Sequence, residues 1–390
     1  MILPGATLGV LGGGQLGRMF AQAARTMGYK VVVLDPDSMS PAGAVADKHL
    51  SCPYSDPDAL DYIAHHCAAV TIEFENVPVE VLQRLEKDCL VRPDANVVEK
   101  VQDRIREKVL LRECHLATVP YSPVVHEGDL DEALASIRLP AILKQAVLGY
   151  DGKGQCAISC AADAHRAFTE FVGKPCVLEQ RVDLRMELSL LLARSPTGEI
   201  AFYPPAENVH VNGILDTSIV PARISPDIIE RATQMAQTLA EHLNYCGLLA
   251  VEFFLTRQNE LLINEIAPRP HNSGHFTLDA CLTTQFEQQV RMLCGLPPGD
   301  TRLLSPVVMV NLLGDLWQAK DPDWEKVLGI PNAKLQLYGK HVARPGRKMG
   351  HYNVLAPNVE EALDLAGRIR QLLFQDVRDA NVDLRKKSLM

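Results

Sequence analysis

The chain has 390 residues, 47% of them hydrophobic and 22% charged, which is a globular composition and length enough for about two or three domains. A net charge of −9 argues against a broad nucleic-acid surface, while leaving room for a local basic pocket that takes a small phosphorylated ligand. Ten cysteines lack any C-x-x-C pair, no apolar run reaches the roughly 18–20 residues of a membrane helix, and "MILPGATLGV" runs straight into a strand. A cytoplasmic protein with free thiols, no leader and no membrane span is expected.

The first hundred residues alternate as an α/β unit does. "TLGVLG" is a strand, residues 15–27 a helix, "KVVVLD" a strand, residues near 58–66 a helix and "AAVTIEF" a third strand. Between the first strand and its helix stands Gly12-Gly13-Gly14-Gln15-Leu16-Gly17, which fits G-x-G-x-x-G, and Asp35 ends the second strand where an acidic residue binds an adenosine ribose. This spacing by itself is weak, because any tight strand–turn–helix favours glycine. Nothing downstream supplies hydride chemistry. The helix N-terminus is read as receiving part of a small substrate. A nicotinamide oxidoreductase and a purely structural turn remain the alternatives. "VRPDANVVEKVQDR" then leads into a helix with Val97, Val101, Ile105 and Val109 on one face.

From about residue 104 the pattern changes. Strand-like runs cluster at "AILK", "QCAIS", "PCVLEQRV", "MELSLLLAR" and "IAFYPP", and "SPDIIERATQMAQTLAEHL" is a long helix with Ser225 as N-cap and Pro226 as first residue. Two further strands, "GLLAVEFFLT" and "ELLINEIA", flank a short polar turn, which indicates an α+β region with an antiparallel sheet. Residues 296–390 add strands near "VVMVNLLG", "AKLQLYG" and "KMGHYNVLA", then an amphipathic helix over residues 359–373. The expected division is 1–103, 104–295 with a lid subdomain at about 120–182, and 296–390.

Two features of the middle region carry chemistry. Gly149, Gly152 and Gly154, with Lys153 among them, lie between two strands, the first of which ends in Lys144. This is either a lid whose N–H groups and lysine cover a polyphosphate, or an exposed hairpin tip. The second feature is a pair of carboxylates inside apolar strands. Period-2 alternation puts Ala250, Glu252 and Phe254 on one face, and Leu261, Ile263 and Glu265 on one face of the next strand. A carboxylate in such surroundings is costly unless it meets a cation, and two on adjacent strands suit Mg²⁺ with phosphate oxygens. Pairing with two unrelated arginines is the alternative.

The lysine-ended strand, the glycine loop, "LEQRV" and the Glu252/Glu265 pair together resemble the ATP-grasp superfamily of carboxylate–amine ligases. Within it they are most similar to the purine-biosynthetic branch that carboxylates 5-aminoimidazole ribonucleotide. The "GGGQLGRM", "GYDGKGQ" and "NEIAPRPHNSGH" of that branch stand here at residues 12–19, 149–155 and 264–275. The resemblance covers essentially the whole chain. It departs at Leu148, where the lid usually has glycine, while Ala267 stands where many other grasp ligases have asparagine.

The resemblance implies an ATP-grasp fold (mixed α/β and α+β) with an N-terminal Rossmann-like, preATP-grasp domain and a small β-rich C-terminal domain. It implies ATP held by Arg104, Lys144, Gly149, Tyr150, Asp151, Gly152, Lys153, Gly154, Gln155, Glu179, Gln180, Arg181, Val182, Glu187, His210, Asn264 and Glu265. The carboxylate of Glu179 would accept from the exocyclic amine of adenine, and Glu187 would hold the ribose. Mg²⁺ would sit on Glu252 and Glu265. Lys144, Lys153, His210 and Arg269 would act on the reacting groups. The ribonucleotide would meet Gln15, Leu16, Glu73, Asn76, Arg269, His271, Asn272 and Ser273, with Lys340 and Arg347 reaching in from the C-terminal domain. Read without the resemblance, Glu187 is a surface carboxylate, His210 an internally bonded histidine, and Lys340 and Arg347 part of a solvated loop. The implied reaction uses ATP and bicarbonate, passes through carboxyphosphate, and carboxylates the amine of the ribonucleotide in a homodimeric enzyme. A different grasp ligase, such as the formate-dependent glycinamide ribonucleotide enzyme, or a nucleotide-binding regulator without turnover, would share the ATP half alone.

Overall fold

The computed structural model describes every residue except Leu148, residues 150–153, Ala319 and residues 388–390, with side chains described as far as Phe374. Near its N-terminus the chain builds a parallel sheet in the order Lys48–Leu50, Lys30–Leu34, Thr7–Leu11, Ala69–Ile72 and Leu90–Val91. The central strand is apolar and buried along its length after Thr7, as a strand covered on both faces must be. Asp56 caps the helix Pro57–His66 by accepting from Ala59 N, with Pro57 at the first position.

The single helix predicted through Val97, Val101, Ile105 and Val109 is instead two, Ala95–Val101 and Arg104–Glu113. Asp103 makes the break. Its side chain accepts from Ile105 N at 2.8 Å and starts a new helix. The second helix therefore buries Glu107, Lys108, Leu110 and Leu111, while Ile105 and Val109 stay partly exposed.

The middle region holds two sheets where one was expected. The smaller runs Tyr121–Val124, Cys176–Gln180, Ala141–Gln145, Gln155–Ile158, all antiparallel. Helices Leu130–Ser136 and Ala161–Glu170 pack on it through Leu130, Ala133, Ala164 and Phe168. The larger sheet is antiparallel, in the order Leu261–Ala267, Gly247–Thr256, Leu184–Arg194, Ala206–Val211, Ile214–Val220, Val307–Leu313, Lys348–Leu355, Ala333–Leu337. Ile200–Phe202 pairs beside Leu184–Arg194.

The hairpin Ala206–Val211 to Ile214–Val220 was not predicted. It turns on Asn212 and Gly213, both at positive φ, the conformation that an Asn-Gly pair favours. The C-terminal strands join this same sheet, because Val307–Leu313 pairs with Ile214–Val220. The helix Val359–Lys387 is longer than expected and buries Ala362, Ala366, Ile369 and Leu373 against Val308, Val310, Tyr352 and Val354. Helix Gln285–Cys294 fastens the N-terminal unit. Gln289 Nε2 donates to Thr71 Oγ1 at 3.1 Å, and Phe286, Val290 and Leu293 share a core with Leu16, Phe20 and Tyr338.

Candidate active site

The glycine turn is closed by the chain's own carboxylates. Gly14 N and Gly17 N donate to Glu73 at 2.5 and 2.7 Å, and Gly13 N donates to Asp35 Oδ2 at 2.7 Å. Asp35 also accepts from Tyr54 Oη at 2.9 Å. The glycines permit this approach: a Cβ on Gly14 would lie 2.5 Å from Glu73 Oε1, and one on Gly17 would lie 2.6 Å from Gly12 O. Glu73 thus occupies the anion position that a pyrophosphate takes in dinucleotide enzymes. The N–H groups of this helix N-terminus, expected to receive part of a small substrate, bond an internal carboxylate in this structure. Burial raises the Glu73 pKa against the lowering effect of the two N–H groups. Leu16 packs into the N-terminal core, and Gln15 and Asn76 are half-buried.

Two lysines converge on Glu179. Lys108 Nζ lies 3.2 Å from Oε1 and Lys144 Nζ lies 2.5 Å from Oε2, with all three side chains buried. Burial would raise the carboxyl, but Lys144 and Lys108 together hold it down at about 2. This carboxylate is already engaged by two ammonium groups, where the resemblance implies that it also meets the adenine amine. Lys108 also donates to Thr118 Oγ1 and to Asn264 O. The sequence reading missed Lys108, although it lies one helical turn after Arg104, on the same face. Residues 181–183 connect the two sheets, so Gln180, Arg181 and Val182 lie at their junction. Gln180 N and Arg181 N donate to Pro120 O and Pro140 O. Of the expected lid, Tyr150, Asp151, Gly152 and Lys153 lie outside the described residues. Gly149 is half-buried, Gly154 has φ +68° and Gln155 stands opposite Lys144.

Glu252 and Glu265 face each other across one strand pair, but not by the alternation predicted for both strands. Val251, Phe253 and Leu255 point into the core with Leu261, Ile263 and Ile266, so on the second strand the interval changes from two to three. A register shift at Asn264 sets Ile263 opposite Phe253 and Glu265 opposite Glu252. Ile263 and Glu265 therefore lie on opposite faces, and the bulge is what brings the second carboxylate round to the first. Burial, then Glu265, pushes Glu252 up to about 7. Arg104 Nη1 reaches Glu265 Oε2 at 3.2 Å. Asn264 Nδ2 lies 3.4 Å from Glu252 Oε2, while Asn264 Oδ1 is buried with no partner.

These groups fit a hard cation. Two carboxylates and an orphaned amide oxygen converge, and among the described residues no cluster of three or more His, Cys, Asp or Glu forms a complete protein cage. Mg²⁺ uses such sites, taking its remaining ligands from phosphates and water. Beside them His210 Nδ1 lies 2.8 Å from Glu187 Oε2. Burial lowers the imidazole, but Glu187 and then Glu252 raise it further, for a net upward shift.

The loop after the second glutamate divides by role. Arg269 forms a buried ion pair with Glu75, a residue the sequence reading passed over between Glu73 and Asn76. His271 Nε2 lies 3.4 Å from Glu252 Oε1. Asn272 and Ser273, expected to contact the ribonucleotide, turn inward instead. Asn272 exchanges two side-chain hydrogen bonds with Asn311, and Ser273 Oγ is hydrogen-bonded to His271 and Ser189. Lys340 Nζ donates to Lys348 O at 2.7 Å, and its charge lowers Glu73. Lys348, also missed, acts electrostatically on Glu252 and His271. Arg347 Nη1 donates to Val342 O within its own loop. Three parts of the chain thus meet over the carboxylate pair. Among the described residues no helix is long and apolar enough to cross a membrane.

Known proteins share the domain order of this chain. Residues 5–102 match the ribonucleotide synthetase preATP-grasp domain, residues 109–286 the ATP-grasp domain, and residues 307–365 the phosphoribosylaminoimidazole carboxylase C-terminal domain. The N5-carboxyaminoimidazole ribonucleotide synthase of Bacillus subtilis is 45% identical over 361 residues, covering 93% of this chain and 94% of that protein. The same-named Brucella melitensis protein is 44% identical over 91% of this chain and 97% of its own length. The ADP complex of an N5-carboxyaminoimidazole ribonucleotide synthetase superposes with a TM-score of 0.90 at 44% identity, covering 96% of this chain and 98% of that one. An Aspergillus clavatus enzyme solved with ADP and 5-aminoimidazole ribonucleotide has a TM-score of 0.86 at 29% identity, covering 95% and 99%.

Proposed function

This chain belongs to the N5-carboxyaminoimidazole ribonucleotide synthase family of ATP-grasp ligases, and on that premise we propose how its residues divide the reaction. The enzyme carboxylates 5-aminoimidazole ribonucleotide at the expense of ATP, forming a carbon–nitrogen bond in purine biosynthesis. Bicarbonate is the carbon source in our reading. Its oxygen takes the γ-phosphoryl group of ATP, ADP leaves, and the resulting carboxyphosphate releases carbon dioxide and phosphate. The exocyclic amine then attacks the carbon dioxide and loses a proton.

The carrying observation is the facing pair Glu252 and Glu265, set on one side of the sheet by the bulge at Asn264. These two carboxylates and Asn264 would hold Mg²⁺, which when bound neutralises phosphate charge. Arg104 and Lys144 would bind the phosphates from the side of the smaller sheet, each kept in place by a carboxylate partner. Lys153 and the lid would cover them, Glu187 would orient the ribose, and His210 would lie near the γ-phosphate. Residues 179–182 would line the adenine. Arg269, held by Glu75, would meet the anion that becomes carboxyphosphate. Lys340 and Arg347 would meet the 5′-phosphate of the ribonucleotide. A closed, dry site matters because the acyl phosphate is labile.

All ten cysteines are free, which fits the reducing cytoplasm in which we place the enzyme, and the family resemblance implies a homodimer. Phosphate release with ATP, Mg²⁺ and bicarbonate tests the function. It should depend on bicarbonate and rise on adding 5-aminoimidazole ribonucleotide. Release that ignores bicarbonate would overturn the reading.

A further inference from the structure

A chain of hydrogen bonds leads from His271, which stands beside Glu252, across the large sheet. His271 Nε2 lies 3.4 Å from Glu252 Oε1, and His271 Nδ1 accepts from Ser273 Oγ at 2.8 Å and from Ser273 N at 3.3 Å. Ser189 Oγ donates to Ser273 Oγ at 2.7 Å, Asn208 Nδ2 donates to Ser189 Oγ at 2.9 Å, and Ser218 Oγ donates to Asn208 Oδ1 at 2.7 Å. The four supporting residues are buried. They come from neighbouring strands: Ser189 stands opposite Glu252, and Asn208 stands opposite both Glu187 and Ser218.

The polarity of this chain is fixed at one end. A backbone N–H can only donate, so the Ser273 N–H requires Nδ1 of His271 to be the acceptor. An Nδ1 that accepts from this N–H carries no proton itself, so the ring is neutral and holds a single proton. That proton falls on Nε2 and faces the Glu252 carboxylate. The other tautomer would turn a lone pair toward that carboxylate and leave it free to rotate.

We propose that Ser273, Ser189, Asn208 and Ser218 are positioning residues that lock His271 as its Nε2–H tautomer, so that His271 holds Glu252 in the orientation the ATP-phosphate site needs. The proposal rests on the assignment of Glu252 to that site. Partners one step removed from a functional group typically change activity by about 10–100-fold when lost.

The test uses the full-length, ligand-free protein labelled with ¹⁵N in its histidines, with the His271 resonances identified by their loss in His271→Gln. The wild type should show an unprotonated Nδ1 and a protonated Nε2. Ser273→Ala keeps the 3.3 Å backbone donor and loses the 2.8 Å hydroxyl donor, so both nitrogens should shift part of the way toward averaged values and kcat should fall about tenfold, with KM for ATP changed less than about twofold. Ser273→Thr, which keeps the hydroxyl, should restore the wild-type spectrum. Should Ser273→Ala not fold, Ser189→Ala provides the same reading one bond further away. A wild-type Nδ1 that carries the proton, or alanine variants with unchanged spectra and turnover, would overturn the proposal. If the tautomer is locked while Glu252→Gln turns over normally, the assignment of Glu252 fails and the hydrogen-bond chain stands.

Discussion

Glu252 is held against its own ionisation, because burial and Glu265 both oppose it. Its carboxyl titrates near 7 in the folded chain against an ordinary 4.5, so between those values the folded state keeps a proton that the unfolded state has released. Stability must then fall as pH rises through that window and stay low above it. Thermal melting of the metal-free enzyme should show a Tm that drops from pH 5 to pH 7.5, a smaller drop in Glu252→Gln, and recovery with Mg²⁺ and ATP. A flat wild-type profile would contradict the facing pair. Glu179 poses the opposite case. Its two lysines are its compensation, and it is theirs. Glu179→Gln strands Lys108 in the interior and should cost about 3–5 kcal/mol in urea unfolding. A loss under about 1 kcal/mol would mean that Thr118 and the Asn264 carbonyl suffice for the ammonium.

At the scale of elements, the bulge at Asn264 decides whether there is a site at all. Without the extra residue, plain alternation puts Glu265 among Leu261, Ile263 and the core they face. Deleting Asn264 should therefore abolish phosphate release, and should destabilise the fold by several kcal/mol if the carboxylate is forced inward. Asn264→Gly keeps the residue count and should retain measurable turnover, with weaker metal dependence. Equal activity in the two variants would show that the carboxylates do not depend on the bulge. The glycine turn teaches a related lesson. Its spacing is that of a dinucleotide site, yet Gly12, Gly14 and Gly17 are small so that Glu73 can reach the turn's N–H groups. One sequence pattern thus serves an internal anion as well as it would a bound one.

Across the whole molecule, the cleft exists because three parts of the chain share packing. The N-terminal unit supplies Glu75 to Arg269, helix Gln285–Cys294 bonds back to Thr71, and the C-terminal strands extend the same sheet that carries Glu252. Lys340 comes from the far end of the sequence, and its charge nonetheless reaches Glu73. In the reading proposed above it meets the ribonucleotide. Lys340→Ala should raise KM for 5-aminoimidazole ribonucleotide about tenfold to a hundredfold, the loss of one charged hydrogen bond, and leave KM for ATP within about twofold. Initial-rate kinetics with each substrate varied in turn would settle it. Weakened ATP with the ribonucleotide spared would move the phosphate pocket elsewhere.

What the sequence determined by itself was whatever depends on neighbours along the chain: the strands "TLGVL" and "GLLAVEFFLT", the helix after Pro226, and the presence of two costly carboxylates in apolar runs. The Asn212–Gly213 hairpin and the Arg104–Lys108 helical pair were also readable from spacing, and went unread. What only the tertiary structure decided was which groups face which. A one-residue register shift turned Glu265 to Glu252, a contact across 59 positions put Glu73 on the glycine turn, and one across 194 gave Glu75 to Arg269. Asn272 and Ser273 look like substrate donors in a list of residues, and become internal supports once Asn311 and Ser189 are beside them. The physical reason is that a polar group's role is set by the partner that satisfies it, and such partners are chosen by packing between distant strands, about which local periodicity is silent.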